Sequence, residues 1–178
     1  VEGWETIKIM AKNSNDKYGK FFQENKAYFK SIANAVDFEE KETQLLRYEM
    51  YGFIREKNKE KFDKGLAYFA KSNNPQMKIE TAMFRAEWAG NNESPKEFKK
   101  VTDELRKGVL KMEDEKISFI ARRFGNAKMD VAKAQNLQQC YVLAKQAVKL
   151  NPESYSNQGT FADICITPTN LSGSSCSK

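Results

Sequence analysis

Side chains that could carry out chemistry are scarce in this sequence of 178 residues, which contains no histidine. Histidine is the commonest general base and metal ligand near neutral pH. Cys140, Cys165 and Cys176 have neither the CxxC spacing of redox sites nor zinc-finger spacing. The acidic run 113–115 stands where a helix is expected to begin, and carboxylates there complement the helix dipole. We therefore expect no catalytic residue, no metal site and no cofactor in this chain.

The three cysteines differ in their surroundings. Cys140 falls on an apolar helical face, where a buried and inert thiol is expected. Cys165 and Cys176 could form a disulfide if the protein is exported. An odd number of cysteines leaves one thiol over, so three free thiols are the alternative.

Aromatic residues are the first candidates for partner binding. Tyr28, Tyr48, Tyr51, Phe84 and Trp88 could line a concave groove, although aromatic residues at helical spacing more often fill a core. Trp88 lies off the stripe formed by Ile79, Met83 and Ala86 in its predicted helix. It is therefore the first candidate for a partner contact, with Phe84 beside it.

Arginines are the second candidates. Arg85, Arg122 and Arg123 could hold a carboxylate or an acidic peptide, because guanidinium groups form paired hydrogen bonds with carboxylates. The alternative is that they are solvated surface charges.

Charge and hydropathy argue against two other classes of partner. The net charge is +6, but lysines alternate with glutamates, as in residues 56–61. Mixed signs along a helix are typical of a solvated face, so we expect no nucleic acid. No run of about 18 apolar residues is present, so we expect no membrane insertion.

The chain shows no signal peptide and begins with Val1, so we expect a mature or excised piece of a longer protein.

Helical periodicity recurs along the chain, which has only 4 prolines and 9 glycines. Trp4, Ile7 and Ala11 form the first apolar stripe. The predicted helix starts are Asp37 with Glu40, Asn74-Pro75, and Ser94-Pro95 with Glu97. The predicted helix ends are Gly90-Asn91-Asn92 and Gly125-Asn126. Short linkers between the helices indicate antiparallel neighbours. We predict an all-α fold of stacked helical hairpins over 1–166, as a right-handed superhelix or an irregular bundle, and a flexible Ser-rich tail over 167–178.

One stretch fits a known repeat. Small residues at Cys140, Ala144 and Ala147 precede Pro152, as in the second helix of a tetratricopeptide repeat. The following residues would form the first helix of the next repeat, with Phe161 and Ala162 at interlocking positions.

Both ends of the chain resemble one family. Residues 3–8, 17–22 and 24–26 carry the resemblance at one end, and residues 144–152 with Tyr155 and 160–162 carry it at the other. The chain resembles the C-terminal helical, tetratricopeptide-like region of Bacteroidetes thioredoxin-like proteins of the thiol-disulfide oxidoreductase type. The resemblance implies a preceding thioredoxin fold and export to the periplasm. Because no Cys-x-x-Cys is present, the redox activity of that family is carried over to no residue here.

Three functions are compatible with these features. The first is a non-catalytic accessory domain that binds a protein or peptide partner, the thioredoxin-fold domain of the same chain among them. The second is a free-standing tetratricopeptide-like binder of a small molecule, or a component of carbohydrate uptake. The third is an enzyme whose Lys, Tyr or carboxylate side chains replace histidine. A deep pocket lined by Trp4 or Trp88 would favour the second, and an open groove would favour the first.

Overall fold

The computed structural model describes residues 3–125 and 135–167, and this part of the chain is all-helical, as predicted. Ten helices are present and no strand occurs among the described residues. The helices are α1 (Trp4–Met10), α2 (Lys17–Glu24), α3 (Lys26–Ile32), α4 (Ala35–Arg55), α5 (Lys59–Ala70), α6 (Pro75–Asn92), α7 (Pro95–Lys107), α8 (Asp114–Gly125), α9 (Leu137–Leu150) and α10 (Tyr155–Ile166).

The helices form two compact units, whereas the sequence analysis predicted a single helical domain over 1–166. The N-terminal unit covers residues 1–67 and the C-terminal unit covers residues 68–178, so the boundary falls inside α5. Of the tail predicted over 167–178, only Thr167 lies within the described residues.

Aromatic rings dominate the core of the N-terminal unit. The predicted stripe of α1 is confirmed: Trp4 is 9% exposed, and Ile7 and Ala11 are fully buried. The Trp4 ring lies 6.1 to 6.3 Å, between centroids, from the rings of three phenylalanines contributed by α2, α3 and α4. These are Phe22, Phe29 and Phe38. Short helices can be stable here because burial of these rings, rather than helix propensity, holds them.

Small residues let the helices of the C-terminal unit approach closely. Cys140, Ala144 and Ala147 of α9 are fully buried, and α9 packs against α8 and α10. In α10 the buried apolar residue is Ile164, while Ala162 is exposed, so the prediction of an interlocking Ala162 is wrong. Ala162 points away because α10 turns its 157–160–164 face toward α8 and α9.

Two of the predicted helix starts are confirmed by side-chain caps. Asn74 accepts a hydrogen bond from the Gln76 amide (2.9 Å), and Ser94 accepts one from the Glu97 amide (3.3 Å). Each is followed by a proline at the first helical position.

The start predicted at Asp37 is wrong. Asn34 caps α4 instead, because its backbone is non-helical and its side chain accepts a hydrogen bond from the Val36 amide (2.9 Å). Asp37 therefore lies in the first turn of α4, where its carboxylate accepts a hydrogen bond from Lys8 Nζ (2.7 Å). It complements the helix dipole at that end.

The helix end predicted at Gly90-Asn91-Asn92 is confirmed, since α6 ends at Asn92, and Gly90 itself lies inside the helix. A Cβ atom at this position would overlap the ring of Phe124 from α8. Gly90 is therefore a close-approach site between α6 and α8. Gly125, predicted as an end, is the last residue of α8.

A non-glycine residue ends α4. Lys57 has a positive φ of 56°. Its amide donates to the Ile54 carbonyl (3.2 Å), and the Asn58 amide donates to the Phe53 carbonyl (2.9 Å). This is the pairing of a Schellman cap, which usually uses glycine at the left-handed position. The cap fixes the direction in which the chain leaves α4 toward α5.

Candidate binding cleft

An open cleft of about 620 Å³ lies within the N-terminal unit. Its walls come from the turn before α2, from α2 itself, from the last turns of α4 and from the start of α5. The lining residues are Ser14, Asn15, Lys20, Gln23, Glu24, Tyr48, Glu49, Tyr51, Gly52, Phe53, Arg55, Glu56 and Lys61. Its volume falls within the range of protein pockets that hold ligands.

Helical spacing places the α4 residues along one wall. Tyr48, Gly52 and Arg55 recur every three or four positions, so they share one face of α4. Tyr48 is 50% exposed. A Cβ atom built on Gly52 would meet nothing within 4 Å, so the absence of a side chain there leaves the middle of this wall open.

Charges of both signs line the cleft. Lys20, Arg55 and Lys61 supply three cations, and carboxylates at positions 24, 49 and 56 supply three anions. The Lys61 ammonium lies 5.9 Å from the centroid of the Phe53 ring. The Gln23 amide meets the Glu49 carboxylate only at 3.5 Å. Such long polar contacts are easily exchanged for contacts with a ligand.

A tight turn between α1 and α2 positions the α2 wall. The Asp16 carboxylate accepts hydrogen bonds from the amides of Lys12 (2.9 Å), Asn13 (2.9 Å) and Gly19 (2.6 Å). Burial alone would raise the pKa of Asp16, but these backbone hydrogen bonds outweigh it and hold that pKa below its usual range. Asp16 thus ties the end of α1 to the first turn of α2.

A buried lysine secures the other end of this turn. Lys41 of α4 is 5% exposed and donates to the Ala11 carbonyl (3.0 Å) and to Gln44 Oε1 (2.7 Å). Burial lowers its pKa. A cation at the C-terminal end of α1 is favourable for the helix dipole. The contact anchors α1 against α4.

The predicted aromatic contacts of α6 are placed in the interior. Trp88 is 8% exposed and its indole N–H donates to Glu93 Oε1 (2.8 Å). Phe84 is 4% exposed, with its ring centroid 5.3 Å from that of Phe69. Both side chains behave as core residues, which was the alternative interpretation of their helical spacing. They do not offer a surface to a partner as predicted.

The predicted arginines have separate partners and do not form one site. Arg85 makes two 2.9 Å hydrogen bonds to the carboxylate of Glu104 on α7. Arg123 Nε lies 2.5 Å from Oε1 of the buried Glu87 on α6. Arg122 makes a long hydrogen bond to Ser156 Oγ of α10 (3.4 Å), and its guanidinium carbon lies 6.0 Å from the centroid of the Phe119 ring. Arg85 and Arg123 therefore join helices, and Arg122 is the most available of the three.

The cysteine predictions have different outcomes. Cys140 is fully buried, and burial raises the pKa of its thiol to about 12, so the reactive thiolate is absent near neutral pH. Cys165 is half-buried on α10, and Cys176 lies outside the described residues. The disulfide between them stays a prediction.

Sequence reasoning identified Tyr48 and Tyr51 as possible groove residues, and both line the cleft. Tyr28 does not line it; its ring packs edge-on against Phe29 at 5.4 Å. Sequence reasoning missed Gly52 and the α2 wall. An isolated glycine inside a helical pattern was the one available signal for Gly52.

A polar network in the C-terminal unit joins α7 to α9. Asp103 of α7 accepts hydrogen bonds from Lys99 (2.5 Å), Arg106 (2.7 Å) and the buried Gln139 of α9 (3.1 Å). Burial alone would raise the pKa of Asp103, but these three donors and the Arg106 charge hold that pKa well below its usual range.

We expect this network to make the stability of the C-terminal unit depend on pH. The pKa of Asp103 is lower in the folded state than in the unfolded state. The stabilisation that its carboxylate gives to the folded state is therefore complete above the unfolded pKa of about 3.9, and it is lost as the pH falls through the folded pKa. Between pH 5 and pH 3 the free energy of unfolding of the wild-type unit should fall by about 1 kcal/mol more than that of the Asp103→Asn variant. Urea unfolding followed by Trp88 fluorescence in a Trp4→Phe background measures this. Equal losses in both proteins would contradict it.

Two further properties concern the described part of the chain as a whole. No helix there has the length and hydropathy needed to span a membrane. No three side chains of His, Cys, Asp or Glu in residues 3–125 and 135–167 converge as a metal site requires.

Comparison with protein-family models, with curated proteins and with solved structures gives no significant match.

Proposed function

We propose that this chain is a non-catalytic helical interaction domain that binds an extended peptide segment of a partner in the cleft between α2 and α4. The observation that carries the proposal is the open wall at Gly52, flanked by the half-exposed Tyr48. A tyrosine offers a large and rigid contact area with a polar tip at small cost in conformational entropy.

The charges of the cleft support a peptide as its occupant. Three cations and three carboxylates line the cleft together with aromatic residues, which suits a peptide that carries charges of both signs and a regularly spaced polar backbone. Neither Trp4 nor Trp88 lines the cleft, and these were the residues whose presence would favour a small molecule or a carbohydrate.

The resemblance to thioredoxin-like proteins extends the proposal. In that setting the domain is exported, and it holds a segment of the thioredoxin-fold domain or of a client of that domain. The close packing of α8, α9 and α10 around small residues supports a tetratricopeptide-like arrangement, in which neighbouring hairpins stack.

Peptide selection with a wedge variant tests the proposal. A library of unstructured 12-residue peptides displayed on phage is selected against the wild-type protein and counter-selected against Gly52→Trp. A Cβ atom at position 52 meets nothing within 4 Å, so the indole would extend from this wall into the open cleft. The enriched peptides should bind Gly52→Trp at least about 30-fold more weakly, which is about 2 kcal/mol.

The matched control is Glu39→Trp, which places the same side chain on an exposed position of α4 outside the cleft. Its affinity should equal that of the wild type. The proposal fails if no peptide is enriched, or if the enriched peptides bind Gly52→Trp and the wild type equally.

A further inference from the structure

The outer face of α10 is apolar and exposed. Tyr155 is 89% exposed and Ile166 is 72% exposed, and Gly159 and Ala162 between them are also exposed. Positions 155, 159, 162 and 166 follow helical spacing and form one stripe along the whole helix. This α10 stripe contains no charged residue, although 30% of the chain is charged.

The order of sizes in the α10 stripe is symmetric. Large side chains lie at both ends, Tyr155 and Ile166, and the two small residues lie in the middle. If a second α10 lies antiparallel on the first, Tyr155 faces Ile166 of the other copy and Gly159 faces Ala162. The small residues then allow close approach at the centre, and the large residues close both ends. Two-fold interfaces bring together the same patch of both copies and are self-complementary in this way.

Charges beside the stripe are complementary in the same arrangement. Arg122 and Asp163 line one cavity of about 170 Å³ next to α10 and form no ion pair with each other in the described structure. Arg122 lies near Ser156, at the beginning of α10. Ser156 and Asp163 lie on the same flank of the stripe, because they are seven residues apart on the helix. In the antiparallel pair Asp163 of the second copy lies at the level of residue 158, about 3 Å along the helix axis from Ser156 of the first copy and on the same side of the interface. Two symmetric Arg122–Asp163 ion pairs can then form between the copies.

From these features we infer that the α10 stripe is a self-association surface whose occupant is the α10 stripe of a second copy of this chain. A membrane surface is a poorer occupant, because interfacial helices carry Lys or Arg beside their apolar face and α10 carries neither. The inference is independent of the peptide cleft, which lies in the N-terminal unit.

Sedimentation equilibrium of the full chain tests this inference. The wild type should dimerise with a Kd on the order of 10 µM, and Ala162→Arg should weaken dimerisation by at least about 30-fold. The matched control Ala67→Arg makes the same change on an exposed alanine of α5 and should leave the Kd unchanged. Thermal melting of each variant shows that it is folded.

A charge exchange tests the antiparallel register. Tyr155→Lys and Ile166→Glu should each weaken the dimer, and the double variant should restore it, because the new lysine of one copy meets the new glutamate of the other. The double variant Tyr155→Lys with Ile166→Lys should stay monomeric. A wild type that is monomeric at about 200 µM, or a dimer that all α10 variants retain, would overturn the inference.

Discussion

Gly19→Ala is expected to destabilise the N-terminal unit by about 3 kcal/mol or more. A Cβ atom at Gly19 would lie far closer to the Asn13 carbonyl oxygen than the sum of the van der Waals radii of carbon and oxygen. That oxygen belongs to the backbone, and Asp16 holds both sides of the turn through the amides of Asn13 and Gly19. The backbone cannot move away without breaking these hydrogen bonds. Urea unfolding followed by Trp4 fluorescence in a Trp88→Phe background measures the loss.

The matched control is Gly52→Ala in the same unit. Its Cβ atom meets nothing within 4 Å, and alanine is the better helix former. This variant should gain about 0.5 to 1 kcal/mol. If both variants changed stability in the same direction, the packing assigned to the turn between α1 and α2 would be wrong.

Gly90→Ala is expected to destabilise the C-terminal unit by about 2 to 3 kcal/mol. The new methyl group would overlap the ring of Phe124, which is 1% exposed. The ring cannot retreat, because it packs edge-on against Phe98 at 5.2 Å between centroids. Trp88 fluorescence in the Trp4→Phe background reports the unfolding of this unit.

A double-mutant cycle shows whether the overlap with Phe124 is the cause. Phe124→Leu alone should cost about 1 to 2 kcal/mol through lost burial. The double variant Gly90→Ala with Phe124→Leu should cost at least about 1 kcal/mol less than the sum of the single variants, because the smaller side chain leaves room for the methyl group. Additive costs would show that Gly90 matters for another reason.

Sequence patterns predicted the helices and most of the core because both follow from local periodicity. The caps at Asn74 and Ser94 and the stripe that begins at Trp4 are examples. The helix start at Asp37 was misplaced because Asn34 competes for the same role three residues earlier. Asn34 and Asp37 are both good capping residues, so the sequence alone does not decide which of them begins the helix.

The candidate site was predictable only in part, because contacts between helices leave no periodic signal. In the sequence Gly90 resembles part of a helix end. Only the structure shows that the ring of Phe124, from another helix, packs against this position and leaves no room for a side chain. Trp88 lies off the main apolar stripe, yet its indole is buried and bonded to Glu93. The cleft joins α2 to the far end of α4, which are separated by more than twenty residues.

The central claim is that the wall formed by Tyr48 and Gly52 binds a peptide. Backbone amide NMR spectra of the chain, recorded while a selected peptide is added, test it most directly. We expect the largest shift changes at Lys20, Tyr48 and Gly52, on both walls of the cleft, and none in the Gly52→Trp variant. Changes confined to the C-terminal unit, or identical changes in wild type and variant, would contradict the account.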